Sequence, residues 1–407
     1  MKTITNNKSI SFGEFVALMA LVISLVALST DAMLPALPEI GRSLGVQRSN
    51  DNQLIISLLF FGMAFGQLIY GPLSDSIGRK KPIYAGFGLF VVGCLLSLTA
   101  TSFPVMLVGR VMQGVGAAGP RIVAIALVRD QYNGRTMARV MSFVMAVFIL
   151  VPIIAPMVGQ LILTVANWRA IFGVFLAIAV IASTWFTLRQ PETLPANRRV
   201  PFSAARIAQA LREIFANRTA FGYTVAAGLV SGAFIGYLNS AQQIFQQQYG
   251  LGRLFPFYFA ALALALGSAS FSNARLVMRF GMRSLVLWAL LTVGGFSVVF
   301  WGIAFLQAGQ PPLWALMAYL LVSFFNIGIL FGNMNALAME PLGHIAGVGA
   351  AVVGSLSTLI SLVFGTMIGQ NYNGTVLPLV GGFALLSVAS LGVIRWIEAK
   401  KPEPATI

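Results

Sequence analysis

Apolar residues in this chain fall in long unbroken runs. They show neither the alternation of a half-buried strand nor the three-and-four spacing of a surface helix. Twelve runs approach or exceed the ~20 residues that one helical crossing of a bilayer needs. They lie at 14–34, 53–72, 82–101, 104–126, 140–163, 170–188, 219–245, 254–274, 284–305, 313–336, 346–369 and 375–396. A helix satisfies its own backbone hydrogen bonds, so it is the element such runs build in lipid. The longest link, 189–218, is hydrophilic, arginine-rich and at mid-chain. The pattern predicts an all-α polytopic membrane protein. Residues 1–188 form one six-helix bundle, 189–218 a basic linker and 219–407 a second six-helix bundle. Lys2 and Lys8 before the first run, and Ala27-Leu28-Ser29 within it, resemble a signal peptide. The run is longer than a signal core, so it is read as a retained span.

Composition narrows the class. Hydrophobic residues make up 58% and charged residues 9%, against about 25% charged in soluble domains. That excludes a soluble enzyme, a disordered chain and a coiled coil. The net charge of +15 would suit nucleic acid, but the basic residues punctuate the spans and form no single patch. With the N-terminus inside, twenty Lys and Arg fall on inner segments and four (Arg42, Arg48, Arg169, Arg253) on outer ones. The positive-inside rule then places both termini in the cytoplasm, and Lys400-Lys401 in the tail would meet anionic headgroups. One cysteine, Cys94, and one histidine, His344, make neither an internal disulfide nor a metal cage. With no phosphate-binding G-x-x-x-x-G-K-S/T string, no nucleotide, cofactor or metal is expected.

Charges inside spans are expensive and mark function. Asp31 lies near the outer end of span one, and Arg110 and Arg121 lie in span four. At ~1.5 Å per residue, Asp31 and Arg110 share a depth, and Arg121, three turns on, projects from the same face as Arg110. Desolvation favours the neutral form of a carboxyl and a nearby cation the charged form. A carboxyl whose surroundings alternate can therefore load and release a proton. The plainer readings are a helix-end cap for Asp31 and a pin to backbone carbonyls for Arg110. Candidate substrate contacts are Gln113 in span four, Tyr237, Asn239 and Gln242 in span seven, and Asn326 and Asn333 in span ten. The plainer reading of these is polar glue between helices. Residues 71–80 (GPLSDSIGRK) and 274–283 (ARLVMRFGMR) align at an offset of 203, half the chain, which suggests duplication.

Three strings carry a resemblance. Gly71-Pro-Leu-Ser-Asp75-Ser-Ile-Gly78-Arg79-Lys80-Lys81 resembles the loop signature of the major facilitator superfamily, with Ser76 at a usually basic position. Arg110-Val-Met-Gln113-Gly-Val-Gly-Ala-Ala resembles its span-four motif, and Pro152-Ile-Ile-Ala-Pro156-Met-Val-Gly159 its antiporter motif, with Ala155 and Gln160 replacing the outer glycines. The G-x-G-x-x-G inside span four follows no strand and is read as helix packing. Leu28-Ser-Thr-Asp31-Ala-Met-Leu-Pro35-Ala-Leu-Pro38, Trp168-Arg169 and Pro191-Glu-Thr-Leu194 resemble the bicyclomycin/chloramphenicol-resistance (Bcr/CflA-type) drug exporters. The resemblance implies a monomeric carrier in a bacterial inner membrane that exchanges drugs for protons. Asp31, Arg110 and Arg121 would couple the proton. Gly71, Asp75, Gly78, Arg79 and Lys80 would gate the cytoplasmic side, and Pro152, Pro156 and Gly159 would form a hinge. The nearest rival is a proton-coupled nutrient importer of the same superfamily. A channel lacks a filter-like repeat here, and an intramembrane enzyme would need clustered acids or histidines.

Overall fold

The computed structural model describes residues 10–399; Lys2, Lys8, Lys400 and Lys401 lie outside the described residues. Twelve long helices are present among them: α1 (Phe12–Asp31), α3 (Leu54–Ile77), α4 (Lys80–Leu98), α5 (Phe103–Gln131), α6 (Gly134–Val165), α7 (Arg169–Arg189), α9 (Arg218–Leu238), α10 (Phe255–Phe280), α11 (Met282–Leu306), α12 (Leu313–Met339), α13 (Ala346–Gln370) and α14 (Leu377–Glu398). Two shorter ones, α2 (Leu37–Ser43) and α8 (Ala204–Ala216), lie between spans. The helical stretch Leu313–Gln370, 58 residues long, is two spans. A 3-10 turn at Glu340–Ile345, non-helical at Leu342, separates them. Large apolar side chains such as Phe65, Leu161, Phe271, Trp288 and Leu385 point outward, as lipid-facing surfaces require.

Three spans stop earlier than their apolar runs: α4 ends at Leu98, three residues short of its run, and the other two bear on the site. The first run extends to residue 34, but α1 ends at Asp31. Pro35 has no N–H to give the Asp31 carbonyl, and its ring clashes with that carbonyl in a continued helix. The chain instead makes a 3-10 turn at Leu34–Ala36, which is buried. The seventh run extends to residue 245, but α9 ends at Leu238, and a π-helical turn follows at Gln243–Gln248. Asn239 and Gln242 therefore sit on irregular backbone beyond α9.

The two halves repeat one packing scheme. In the first, α5 packs on α3 and α4, α1 on α6, and α4 on α7; in the second, α12 packs on α10 and α11, α9 on α13, and α11 on α14. Matching α3 with α10 and α6 with α13 also exchanges the two principal contacts between halves, α3 on α13 and α10 on α6. The turns that close α3 and α10 use Gly78 and Gly281, 203 residues apart, with φ of +96° and +76°. Only glycine adopts that conformation without strain.

Span four's glycines serve close packing. A Cβ on Gly114 would overlap the Leu59 carbonyl of α3, and one on Gly116 would overlap the Phe90 N–H of α4. Small residues let helices approach in lipid, where water-driven burial is absent.

The linker is fastened to both halves. Glu192 accepts hydrogen bonds from the backbone N–H groups of Arg79 (2.9 Å) and Lys80 (3.1 Å), at the start of α4. The Val200 N–H donates to the Asp75 carbonyl (3.0 Å), and that of Phe202 to the Ser76 hydroxyl (3.0 Å). On the other side α8 packs on α13 and α9, and Glu213 meets His344 at 2.6 Å. Partial burial works against the charge on Glu192. The N–H groups of Leu194, Arg79, Lys80 and Thr193 overcome it and hold the carboxyl below the usual carboxylate range.

Two outcomes follow from this packing. Gly114→Val should weaken the α3–α5 contact by ~1–3 kcal/mol and lower the melting temperature of purified protein. Gly88→Val, where a Cβ meets nothing within 4 Å, should not. A carboxyl with a lowered folded pKa stabilises above its unfolded value, and that stabilisation is lost as pH falls through the folded one. Hydrogen–deuterium exchange over residues 190–202, corrected for intrinsic rates, should therefore stay slow down to about pH 4 and speed up below. In Glu192→Gln it should already be fast at pH 7.

Candidate functional site

Among the described residues Arg110 is the most completely buried charge, at 0% exposure. Its guanidinium donates from Nε to the Ile55 carbonyl of α3 (2.9 Å) and from Nη2 to the Ser29 carbonyl of α1 (2.9 Å). The third bond runs from Nη1 to Gln113 Oε1 (2.6 Å). Gln113 Nε2 in turn donates to the Gly93 carbonyl (3.0 Å) and Ser97 Oγ (2.9 Å) of α4. The Phe172 ring of α7 lies 6.0 Å from the guanidinium. Arg110 thus ties α5 to α1 and α3 through backbone acceptors, and Gln113 extends the net to α4. Gln113 is committed to that net and does not face a cavity.

Asp31 sits two residues beyond the Ser29 carbonyl that Arg110 grips. It is 5% exposed and forms no hydrogen bond or ion pair with a described residue. Arg110 does not bridge to it. The neighbouring Ala32 carbonyl abuts Gly159 of α6, where a Cβ would overlap it. The glycine after Pro152 and Pro156 therefore lets α6 press on the turn that follows Asp31. From the second half Tyr237 lies close enough to feel the Asp31 charge, and its buried hydroxyl has no partner. Its ring packs against Phe324 (4.7 Å between centroids) and Phe259 (5.7 Å). Asn239 Nδ2 crosses between the halves to Ser57 Oγ (2.9 Å), leaving its buried Oδ1 unpartnered.

The other candidates are elsewhere. Asn333 pairs with Asn273 of α10 (2.7 Å), and Asn326 donates to the Val322 carbonyl of its own helix. Gln242 lines a cavity at the face opposite the linker. Arg121 is half-buried, without a hydrogen bond or ion pair to a described residue. At the linker face Arg79 is buried and bonds Asp130 (2.7 Å), Asp75 and Ser74 Oγ (3.0 Å). Burial opposes its charge, but its hydrogen bonds to the Asp130 and Asp75 carboxylates outweigh that and raise its pKa further. Gly71 and Gly347 bring this loop against the start of α13: a Cβ on Gly347 would lie 3.6 Å from Asp75 Oδ2. Asp75 thus faces the N-terminus of α13, where partial positive charge favours an anion. The Lys80 ammonium lies 5.8 Å from the Tyr84 ring.

Several contributors carry no strong sequence signal. Asn50, in the loop before α3, donates to the Gln370 and Tyr372 carbonyls (both 2.9 Å) and accepts from Gln243 (2.7 Å). Ser57 accepts from Thr366 (2.9 Å) as well as from Asn239. Asp130, partner of Arg79, lies in the last turn of α5 beside the ordinary basic residue Arg129. Among the described residues no group of three or more His, Cys, Asp or Glu is placed to hold a metal.

Comparison with known proteins gives this arrangement a family. The chain is 29% identical over 387 residues to the uncharacterized MFS-type transporter YdgK of Bacillus subtilis (strain 168), covering 94% of each. It is 26% identical over 397 residues to a bicyclomycin resistance protein homolog of Haemophilus influenzae, covering 92% of this chain and 94% of that one. Its fold matches the partially occluded inward-open structure of the xylose transporter XylE from E. coli, with a TM-score of 0.70 at 12% identity, over 97% and 99% of the two chains. A sequence model described as the Major Facilitator Superfamily matches residues 19–366. The protein belongs to that superfamily: it is a multi-pass carrier of small molecules across a membrane, not an enzyme.

Proposed function

We propose that the protein exports amphipathic small molecules, of the chloramphenicol or bicyclomycin kind, in exchange for protons. It works as a monomer in a bacterial inner membrane with both termini in the cytoplasm. The observation that carries this reading is the state of Asp31: a buried carboxyl, unpaired, in the last turn of α1. A buried charge without a partner is costly, and an arriving proton or a substrate group relieves it. Rocking of the halves exposes it to each side in turn.

The other residues take roles that follow from their contacts. Arg110 is a positioning residue: it fixes the last turn of α1, and through it the Asp31 backbone. Arg121 is a second unpaired charge, on the linker side. Gly71, Asp75, Gly78, Arg79 and Lys80 close the linker face against α13. Pro152, Pro156 and Gly159 let α6 bend against Ala32. Tyr237 and Asn239, with the Phe324 and Phe259 rings, offer an aromatic wall with two free polar atoms, which suits a mostly apolar ligand with few hydrogen-bonding groups. The similarity to a bicyclomycin resistance protein homolog along most of the chain supports export of such compounds.

The test is flux. In everted vesicles carrying an imposed proton gradient, wild-type protein should accumulate radiolabelled chloramphenicol. Asp31→Asn, at equal abundance and unchanged melting temperature, should fall to the level of vesicles without the protein. Full gradient-driven accumulation by that variant would sink the assignment of Asp31. Accumulation by wild type only in right-side-out vesicles would reverse the direction.

A further inference from the structure

The face opposite the linker holds a cavity of about 660 Å³ between the halves, within the range of small-molecule sites. It is separate from the surroundings of Asp31 and Tyr237, neither of which lines it. One wall comes from the segment after α1, with Glu39, Arg42 and Asn52, and the other from the irregular backbone after α9, with Gln242, Gln246 and Arg253.

The charges of this face are unevenly satisfied. Arg48 pairs with Asp51 (3.0 Å), and Arg169 donates to the Ala100 carbonyl (2.8 Å). The guanidiniums of Arg42 and Arg253, the two exposed arginines that line the cavity, form no hydrogen bond or ion pair with a described residue. They face it from opposite halves. Glu39 Oε1 already accepts the Trp168 N–H (3.3 Å). The cavity therefore holds two free guanidiniums against one engaged carboxylate. Two unpaired arginines take an anion in the forked geometry they bind best.

We propose that this vestibule is a second binding site, which takes a small organic acid. Arg42 and Arg253 hold its carboxylate from the two halves. A ligand held this way bridges the halves, so its affinity depends on how far apart they stand. The site needs neither Asp31 nor a particular direction of transport, so it stands or falls apart from the proposed function.

The test uses the full chain in phosphatidylcholine nanodiscs, titrated calorimetrically with N-benzoylglycine and its neutral primary amide. Wild type should bind the acid about tenfold or more tighter than the amide, with affinity falling as salt rises. Arg42→Gln/Arg253→Gln should lose that preference while keeping the wild-type melting temperature. Asp31→Asn should bind the acid as wild type does. Equal affinity for acid and amide, or undiminished binding by the double arginine variant, overturns the proposal. Loss of binding in Asp31→Asn moves the ligand to the central site and overturns it as well. Displacement by phosphatidylglycerol in the disc assigns the arginines to a lipid headgroup and overturns the small-molecule reading.

Discussion

The hydrogen-bonding net of Arg110 organises the first half of this molecule. A guanidinium inside the membrane must have its donors met by protein, because lipid offers no acceptor. Here three bonds go to the Ile55 carbonyl, the Ser29 carbonyl and Gln113. Two of these are main-chain groups on different helices, so α1 and α3 are registered against α5 by one side chain. The Ile55 carbonyl lies within α3 and offers a second lone pair, whereas the Ser29 carbonyl, in the last turn of α1, lacks an intrahelical donor and Arg110 supplies one. The grip on Ser29 falls in the last turn of α1, just before Pro35 forbids continuation. A fixed helix end followed by a tight buried turn leaves Asp31 little freedom of position.

Between the halves the contacts are of another kind. Asn239 and Thr366 to Ser57, Gln67 to Thr358 (3.3 Å) and the cluster on Asn50 are hydrogen bonds between neutral groups. Such bonds within membranes contribute about 0.6 kcal/mol each on average. A handful sums to a few kcal/mol, within reach of binding one ligand or proton. The ion pairs instead stay inside one half or its attachments. Arg79 joins Asp75 and Asp130, Arg189 joins Glu14, and Arg283 joins Glu340. Strong bonds hold each bundle rigid, and weak ones hold the bundles together. That division is what a fold that rocks requires.

The spans were legible because lipid imposes a length on each apolar run, and the duplication because Gly78 and Gly281 close equivalent turns 203 residues apart. The early end of α1 was legible in principle: Pro35 stood in plain view, but the run of apolar residues masked it. What could not be read was partnership. Arg110 binds backbone carbonyls, which every residue carries, so no side-chain pattern announces them. Gln113 and Asn333 looked like cavity residues because they are polar and buried, yet both are consumed by neighbours, Arg110 and Asn273. Polarity inside a span says that a partner exists, and not whether that partner is protein or ligand. Asn50 escaped notice for the converse reason: an amide in a polar loop is ordinary until the chain folds and brings residues 193 to 322 positions away against it.

That distinction bears on Asp31. Arg110 lies nearby in depth, and a pairing of the two would have left a neutral, self-contained site with nothing to exchange. Its guanidinium is instead saturated by carbonyls and an amide, all uncharged acceptors that do not discharge it. Arg110 is thereby locked in place, and the carboxyl is left unpartnered at the end of α1. Within the described residues no basic group pairs with it. Any compensation for its charge must therefore come from outside the fold. A site built this way is held open by what its neighbour already binds.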